Sequence, residues 1–206
     1  MKKILSVLLG VLWVCAVSAQ DAALLEHFYK NVSDSCVEMS YKYSVRLSGV
    51  NNVGAGNIVA QGLKWKMEGN GVEMYCDSLN IWVLDPSLKE VVIEPVADGA
   101  DVQLQTNPAS MLVRLQDMFK VRDSGPTEDG KAVLYILDPK DKGSMDYFNV
   151  EISKADAAVR AASFALPDGS LVKIEVSSMK LTPKRGVEDF RPRTVFDSSW
   201  IVTDLR

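Results

Sequence analysis

The sequence predicts a mainly β fold, with one large, curved antiparallel sheet of about eleven strands and two accompanying helices. Three observations support this fold class. One long segment alternates strictly between apolar and polar residues, turn residues recur at short intervals, and no repeat or linker divides the chain. A length of 206 residues, with 47% hydrophobic and 24% charged residues, suits a single globular domain and is not typical of disorder.

The clearest strand runs from Val37 to Leu47, where apolar and polar residues alternate without a break. This period indicates an antiparallel strand with one wet face. The segments around Trp65 and Met74 continue the pattern, and a turn is predicted at 49–52. Further strands are predicted at 81–84, 89–94, 119–122, 131–137, 147–153, 160–166 and 171–181.

Two helices are predicted. The first runs from Asp21 to about Val32, with Leu24, Leu25 and Phe28 on one stripe. The second runs from Asn107, a good N-cap before a proline, to about Phe119. Its apolar residues follow helical spacing, which is typical of ordinary core packing.

The N-terminal segment has the pattern of a cleavable export signal. Lys2 and Lys3 precede an apolar run that ends in Val17-Ser18-Ala19, before Gln20. We expect residues 1–19 to be removed and residues 20–206 to form one periplasmic domain without a lipid anchor. An uncleaved membrane anchor is the alternative. Removal takes away two lysines and no acid, so the net charge changes from −4 to −6.

No catalytic constellation is present in the sequence, so we do not expect an enzyme. The only histidine, His27, lies on the first predicted helix without a spaced partner. One histidine and three cysteines make a His/Cys metal site improbable, and no metal or other cofactor is expected. The mildly acidic chain offers no basic patch for nucleic acid. The glycines at 54 and 56 precede a strand rather than a helix, which argues against a phosphate loop.

The two cysteines of the exported chain are predicted to stay unpaired. Cys76 has the parity of the apolar residues in its strand, whereas Cys36 has the parity of the polar ones. A disulfide would require one of the two side chains to point away from its own face.

The apolar face of the predicted sheet is rich in methionine and aromatic residues. Methionine adapts to irregular apolar partners. Two short helices would cover such a face only in part. A closed, well-packed core and a ligand cavity are both compatible with this composition.

The stretch that follows Gly56 resembles the LolA-like family, the periplasmic carriers of outer-membrane lipoproteins. The elements that carry the resemblance, in order, are Gly62, Trp65, Asp77, Trp82, Asp85-Pro86 and then the Asn107-Pro108 helix start. The resemblance implies an unclosed antiparallel β-barrel whose concave face is lidded by helices and binds acyl chains. It also implies transfer of acylated lipoproteins from an inner-membrane exporter to an outer-membrane acceptor. We expect a monomer that makes transient contacts with these membrane proteins.

Parity and the resemblance together give a candidate site. The expected acyl-binding residues are Met39, Tyr41, Tyr43, Leu63, Trp65, Met67, Met74, Trp82, Leu84, Val91 and Ile93. The expected lid residues are Met111, Leu112, Leu115, Met118 and Phe119. A register error of one residue would move every side chain of a strand to the opposite face of the sheet. The acyl-binding residues are therefore correct only where the alternation has been assigned correctly.

One feature departs from the family pattern. In the best-known branch of the family, a basic residue holds the lid, and it lies in the strand before the strand with the aromatic residue. In this chain the corresponding strand has no basic residue there and ends at Gln61. Two other functions therefore stay open. One is an envelope sensor or chaperone that binds lipid or protein without shuttling it, and the other is an envelope hydrolase.

Overall fold

The computed structural model describes residues 19–47, 50–96, 108–140, 145, 147–166 and 168–206. Residues 1–18 of the predicted leader and the predicted N-cap Asn107 lie outside them. Within the described chain, the strands are β1 (Cys36–Leu47), β2 (Val50–Gln61), β3 (Lys64–Gly69), β4 (Val72–Cys76), β5 (Asn80–Asp85), β6 (Glu90–Pro95), β7 (Phe119–Pro126), β8 (Ala132–Pro139), β9 (Phe148–Ser153), β10 (Val159–Ala165), β11 (Leu171–Thr182) and β12 (Ile201–Asp204).

All twelve described strands belong to one unclosed sheet, in the order β12-β6-β5-β4-β3-β2-β1-β11-β10-β9-β8-β7. Neighbouring strands are antiparallel except β12, which pairs in parallel with β6. The predicted fold class is confirmed. The predicted strand list lacks β12, because that strand is four residues long and entirely exposed, so it carries no alternation.

Strand β2 begins earlier than predicted. The expected turn at 49–52 is wrong from Val50 onward, because Val50 pairs with Leu47 and Asn52 pairs with Val45. The two glycines at 54 and 56 therefore lie inside β2. The N-terminal half of β2 consists mostly of polar and small residues, so it has no alternation of hydrophobicity that would predict a strand.

The predicted second helix is broken in the structure. A 3₁₀ helix, η1 (Pro108–Val113), is followed by one α-helical turn, α2 (Leu115–Met118). Arg114 separates them with φ −127° and ψ 18°, and no side chain caps α2. The first helix, α1, covers residues 19–34 of the described chain. Asp21 lies within it, and its carboxylate accepts a hydrogen bond from Ser124 Oγ at 3.1 Å.

The sheet carries different layers on its two faces. The inner face, which includes Met39, Ile58 and Trp65, packs against α1, η1 and α2 in one buried cluster. The outer face is covered in part by the C-terminal segment, residues 183–206, which includes the 3₁₀ helix η2 (Val187–Phe190) and β12. Cys36 and Cys76 are both free, as parity predicts, and both are buried, although Cys36 has the parity of the polar residues.

Candidate ligand-binding face

The inner face of the sheet brings together most of the predicted acyl-binding residues. Met39, Tyr41 and Trp65 are buried in one cluster, and Tyr43, Met67 and Met74 pack against it half-buried. Met67 and Met74 lie opposite each other on β3 and β4, and Trp65 lies opposite Cys76. These strands therefore present one continuous apolar surface to the helices.

The predicted lid residues pack onto the same surface. Met111, Leu112, Leu115 and Phe119 are buried in the inner-face cluster, and Met118 is half-buried against it. Helix α1 adds Leu25, Phe28 and Val32 to this cluster. The side chains of the helices therefore occupy the space directly above the sheet.

Methionine is concentrated at this site. The chain has 8 methionines, and every one except Met1 belongs to the inner-face cluster or packs against it. The seven are Met39, Met67, Met74, Met111, Met118, Met145 and Met179. Since methionine has an unbranched, polarisable side chain, such a lining can reshape around different apolar partners at low cost.

Burial along the inner face follows a gradient. On β1 the exposed fraction rises from 0% at Val37 to 2% at Met39 and 6% at Tyr41, and Tyr43 is half-buried. The same change occurs from Trp65 to Met67 on β3 and from Cys76 to Met74 on β4. We call the half-buried inner-face residues Tyr43, Met67, Met74 and Val83 the mouth of the site. The face is closed at one end and accessible at the mouth.

Glycines shape the sheet next to the mouth. A Cβ on Gly54 would lie 2.5 Å from the Tyr43 ring, and a Cβ on Gly56 would lie 3.0 Å from Tyr41 Oη. Gly69 approaches the β2 backbone so closely that a Cβ there would lie 2.7 Å from the carbonyl oxygen of Ala55. Only residues without a side chain leave room for both tyrosines and for this approach. Burial, and to a smaller extent Tyr43, raises the pKa of Tyr41 to about 12, so its hydroxyl stays neutral.

Four of the predicted acyl-binding residues lie on the wrong face. Trp82, Leu84, Val91 and Ile93 form a separate buried cluster, against which Tyr75, Phe196 and Trp200 pack. Trp82 lies opposite Tyr75, whereas Ile81 lies opposite the inner-face residue Cys76. The prediction is wrong here because β5 and β6 are apolar on both faces, which removes the alternation that sets parity.

Leu63 is also misplaced by the prediction. It lies in the turn between β2 and β3 and is 48% exposed, outside the buried cluster. Its backbone carbonyl accepts a hydrogen bond from Cys76 Sγ at 3.5 Å. Leu63 therefore contributes to the end of the sheet rather than to the apolar surface.

The prediction also missed half of the inner face. Phe148 stacks on Phe164 with ring centroids 5.5 Å apart, and Phe119 lies 4.9 Å from Phe148. Tyr135 is buried in the same cluster, and its hydroxyl donates to the carbonyl oxygen of Asp21 at 2.6 Å. Alternation at 148–152 is visible in the sequence and could have identified this region.

Gln61 does not reach the lid. Its Nε2 donates to the carbonyl oxygen of Arg185 at 3.2 Å, and the backbone N–H of Arg185 donates to Gln61 Oε1 at 2.8 Å. The Arg185 guanidinium pairs with Glu38 on the same side of the sheet. The residue that departs from the family pattern thus holds the C-terminal segment to the outer face.

A buried carboxylate provides a second attachment for the C-terminal segment. Asp77 Oδ2 accepts a hydrogen bond from Arg191 Nε at 2.7 Å, and its Oδ1 accepts the backbone N–H groups of Leu79 and Asn80 at 2.9 Å. Burial alone would raise the pKa of Asp77. The two backbone donors and the guanidinium outweigh it, so the pKa lies below its usual value.

Two large clefts lie on the outer face rather than under the lid. One has a volume of about 510 Å³ and the other about 500 Å³. Their lining includes Lys42, Ala55, Asn57 and Glu175, whose side chains alternate with those of the inner face. A third cleft, of about 400 Å³, opens beside the start of α1 and includes Leu24 and Val133.

The described residues contain neither a candidate metal-binding group nor a candidate membrane-spanning helix. No three or more histidine, cysteine, aspartate or glutamate side chains there form a group that could hold a metal ion. None of the helices in these ranges is long and apolar enough to cross a membrane.

Comparisons with known proteins show the fold. No family model and no curated protein matches the sequence. An uncharacterized conserved protein from Thermus thermophilus is similar in structure, with TM-score 0.53 and 14% identity over 91% of this chain and 99% of that one. This chain shares the fold of the Thermus protein.

Two further solved structures are similar at lower scores. A LolA superfamily protein from Nitrosomonas europaea has TM-score 0.44 and 9% identity over 81% of this chain and 97% of its own. An outer membrane lipoprotein-sorting protein domain from Vibrio parahaemolyticus has TM-score 0.44 and 10% identity over 82% and 94% of the two chains.

Proposed function

We propose that this chain is an exported carrier that binds the acyl chains of lipoproteins on its inner face and transfers them from the inner to the outer membrane. The observation that carries the proposal is that all seven non-initiator methionines lie in or against the buried cluster between the inner face of the sheet and the lid. The order of the sequence motifs around Trp65 and Asp77, which resembles the LolA-like family, supports it as well.

The physical task matches this lining. An acyl chain of roughly sixteen carbons gains on the order of 13 kcal/mol when it leaves water, at about 0.8 kcal/mol per CH₂. A carrier must therefore shield the chain during transit and still release it. Adaptable methionines and an accessible mouth suit reversible binding better than a deep, rigid pocket does.

The lid is built to be displaced. Helices η1 and α2 are together only ten residues long, and Arg114 lies between them with a non-helical backbone conformation. Short 3₁₀ segments and single helical turns contribute little stability of their own, so packing of residues such as Leu112 and Leu115 holds the lid in place. An incoming acyl chain can replace that packing with equivalent apolar contacts.

The proposed route requires export to the periplasm and two membrane partners. An inner-membrane exporter supplies the acylated lipoprotein, and an outer-membrane acceptor takes it. The leader pattern at residues 1–19 supports export, and transfer itself requires no bond chemistry and no cofactor.

The test is co-purification of acylated lipoprotein with point variants. Trp65→Glu and Leu115→Glu place a charge in the inner-face cluster, and we expect both to abolish cargo binding. Met67→Glu changes the half-buried mouth, where folding tolerates a charge better, and should also lose cargo. Trp82→Ala removes an outer-face tryptophan and is the matched control, for which cargo binding should persist. Unchanged binding by a folded Met67→Glu protein would overturn the proposal.

Depletion of the protein in its native cell separates shuttling from sensing. Accumulation of lipoproteins in the inner membrane supports the carrier. Normal lipoprotein sorting together with an altered envelope stress response would instead indicate a sensor that uses the same apolar face.

A further inference from the structure

The mouth of the inner face contains one polar pair. Asn70 Nδ2 donates a hydrogen bond to Tyr43 Oη at 2.7 Å. Gly54 lies directly beneath, since a Cβ there would lie 2.5 Å from Tyr43 Oη and 2.7 Å from Asn70 Nδ2. Asn70 and Gly54 together thus place the Tyr43 hydroxyl at the edge of the apolar inner face.

The turn that contains Asn70 fixes its side chain. Asn70 and Gly71 connect β3 to β4 with φ values of 53° and 83°, as in a two-residue hairpin of the Asn-Gly type. Asparagine is well suited to this left-handed backbone, and here its amide is also positioned toward β1. Since Asn70 supplies the donor in this pair, Tyr43 must use its own proton elsewhere.

The Tyr43 proton has no acceptor among the described residues, whose only hydrogen bond to that hydroxyl is the one from Asn70. The hydroxyl is therefore a donor available at the mouth. A ligand whose hydrocarbon lies on the inner face would present its first polar group here. For an esterified acyl chain, that group is a carbonyl oxygen, which can only accept.

We propose that Tyr43, positioned by Asn70 over Gly54, forms a subsite for the ester carbonyl of an acyl ligand. This subsite rests on the proposed acyl-binding function. Tyr43 is the donor to the carbonyl oxygen, and Asn70 is its positioning residue.

The experiment is displacement of the neutral fluorophore N-phenyl-1-naphthylamine from the full exported chain by methyl laurate or dodecane at pH 8. Tyr43→Phe, which removes only the hydroxyl, should weaken methyl laurate binding about 2- to 10-fold and leave dodecane binding unchanged. Tyr75→Phe alters an outer-face tyrosine that pairs with Glu73 and should change neither.

The outcomes distinguish the subsite from the carrier function. If Tyr43→Phe weakens both methyl laurate and dodecane equally, or weakens neither, the subsite is overturned and acyl binding stands. If the wild-type protein binds neither methyl laurate nor dodecane, the proposed function fails and the subsite fails with it.

Discussion

Arg191 donates from Nε to Oδ2 of Asp77 at 2.7 Å, and the Asp77 side chain is completely buried. This ion pair joins the C-terminal segment to the end of β4. Together with the paired hydrogen bonds between Gln61 and Arg185, it brings Phe196 and Trp200 over the outer-face cluster. The chain's own C-terminal segment thus covers the outer-face cluster, whereas the inner face keeps an accessible mouth.

Removal of Arg191 should destabilise the protein. In Arg191→Ala the Asp77 carboxylate stays buried and loses the guanidinium that donates a hydrogen bond to it, so we expect a loss of about 1–3 kcal/mol in the free energy of unfolding. Urea denaturation followed by tryptophan fluorescence measures it. Arg193→Ala is the control, because Arg193 is 85% exposed and its bond to Asp189 is a surface pair worth less than about 1 kcal/mol. Equal losses in the two variants would contradict the structural role of Asp77–Arg191.

The same ion pair predicts a pH dependence of stability. Because the folded pKa of Asp77 lies below its usual value, its contribution is present above the unfolded pKa and is lost as pH falls through the folded pKa. The wild-type protein should therefore lose its stability advantage over Asp77→Asn as pH is lowered below about 4. Other carboxylates also titrate in this acidic pH range. For example, a side-chain hydrogen bond from Arg206 lowers the pKa of Asp204 to about 2. The difference between the two proteins isolates Asp77, and a difference that does not change with pH would refute the assignment.

Gly69 should not tolerate alanine. A Cβ at this position would lie 2.7 Å from the Ala55 carbonyl oxygen and 3.2 Å from Gly56 Cα, and both are backbone atoms that cannot rotate away. We expect Gly69→Ala to cost about 1–3 kcal/mol, as overpacking does in cores. Gly125→Ala is the matched strand control, because its Cβ would meet nothing within 4 Å. Thermal unfolding of the two variants gives the comparison, and equal midpoints would show that β2 and β3 lie farther apart.

Much of the sheet could be predicted because burial on one face imposes a period of two. Val37 to Leu47 alternates strictly, and its inner-face residues lie where parity places them. The alternation of Trp65 and Met67 likewise placed β3 correctly. In these strands one face is exposed to solvent and polar, so the pattern of hydrophobicity alone identifies the buried face.

The remainder depends on contacts that a local pattern does not contain. Trp82 and Val91 are buried by Phe196 and Trp200, which lie more than a hundred residues away in sequence. With both faces of β5 and β6 covered, the period of two disappears there. The break at Arg114 was equally invisible, since the apolar spacing of Met111 to Phe119 fits a continuous α-helix. The role of Gln61 followed only from the position of Arg185.

The most direct test of the central claim is mass spectrometry of what the protein carries after export in its native cell and purification without detergent. We expect fatty-acyl esters or acylated protein in near-stoichiometric amount on the wild-type chain, and their loss in Met67→Glu with retention in Trp82→Ala. Recovery of a polar metabolite on the wild-type protein, or of the same acyl species on the folded Met67→Glu variant, would contradict the assignment of the inner face as an acyl-binding surface.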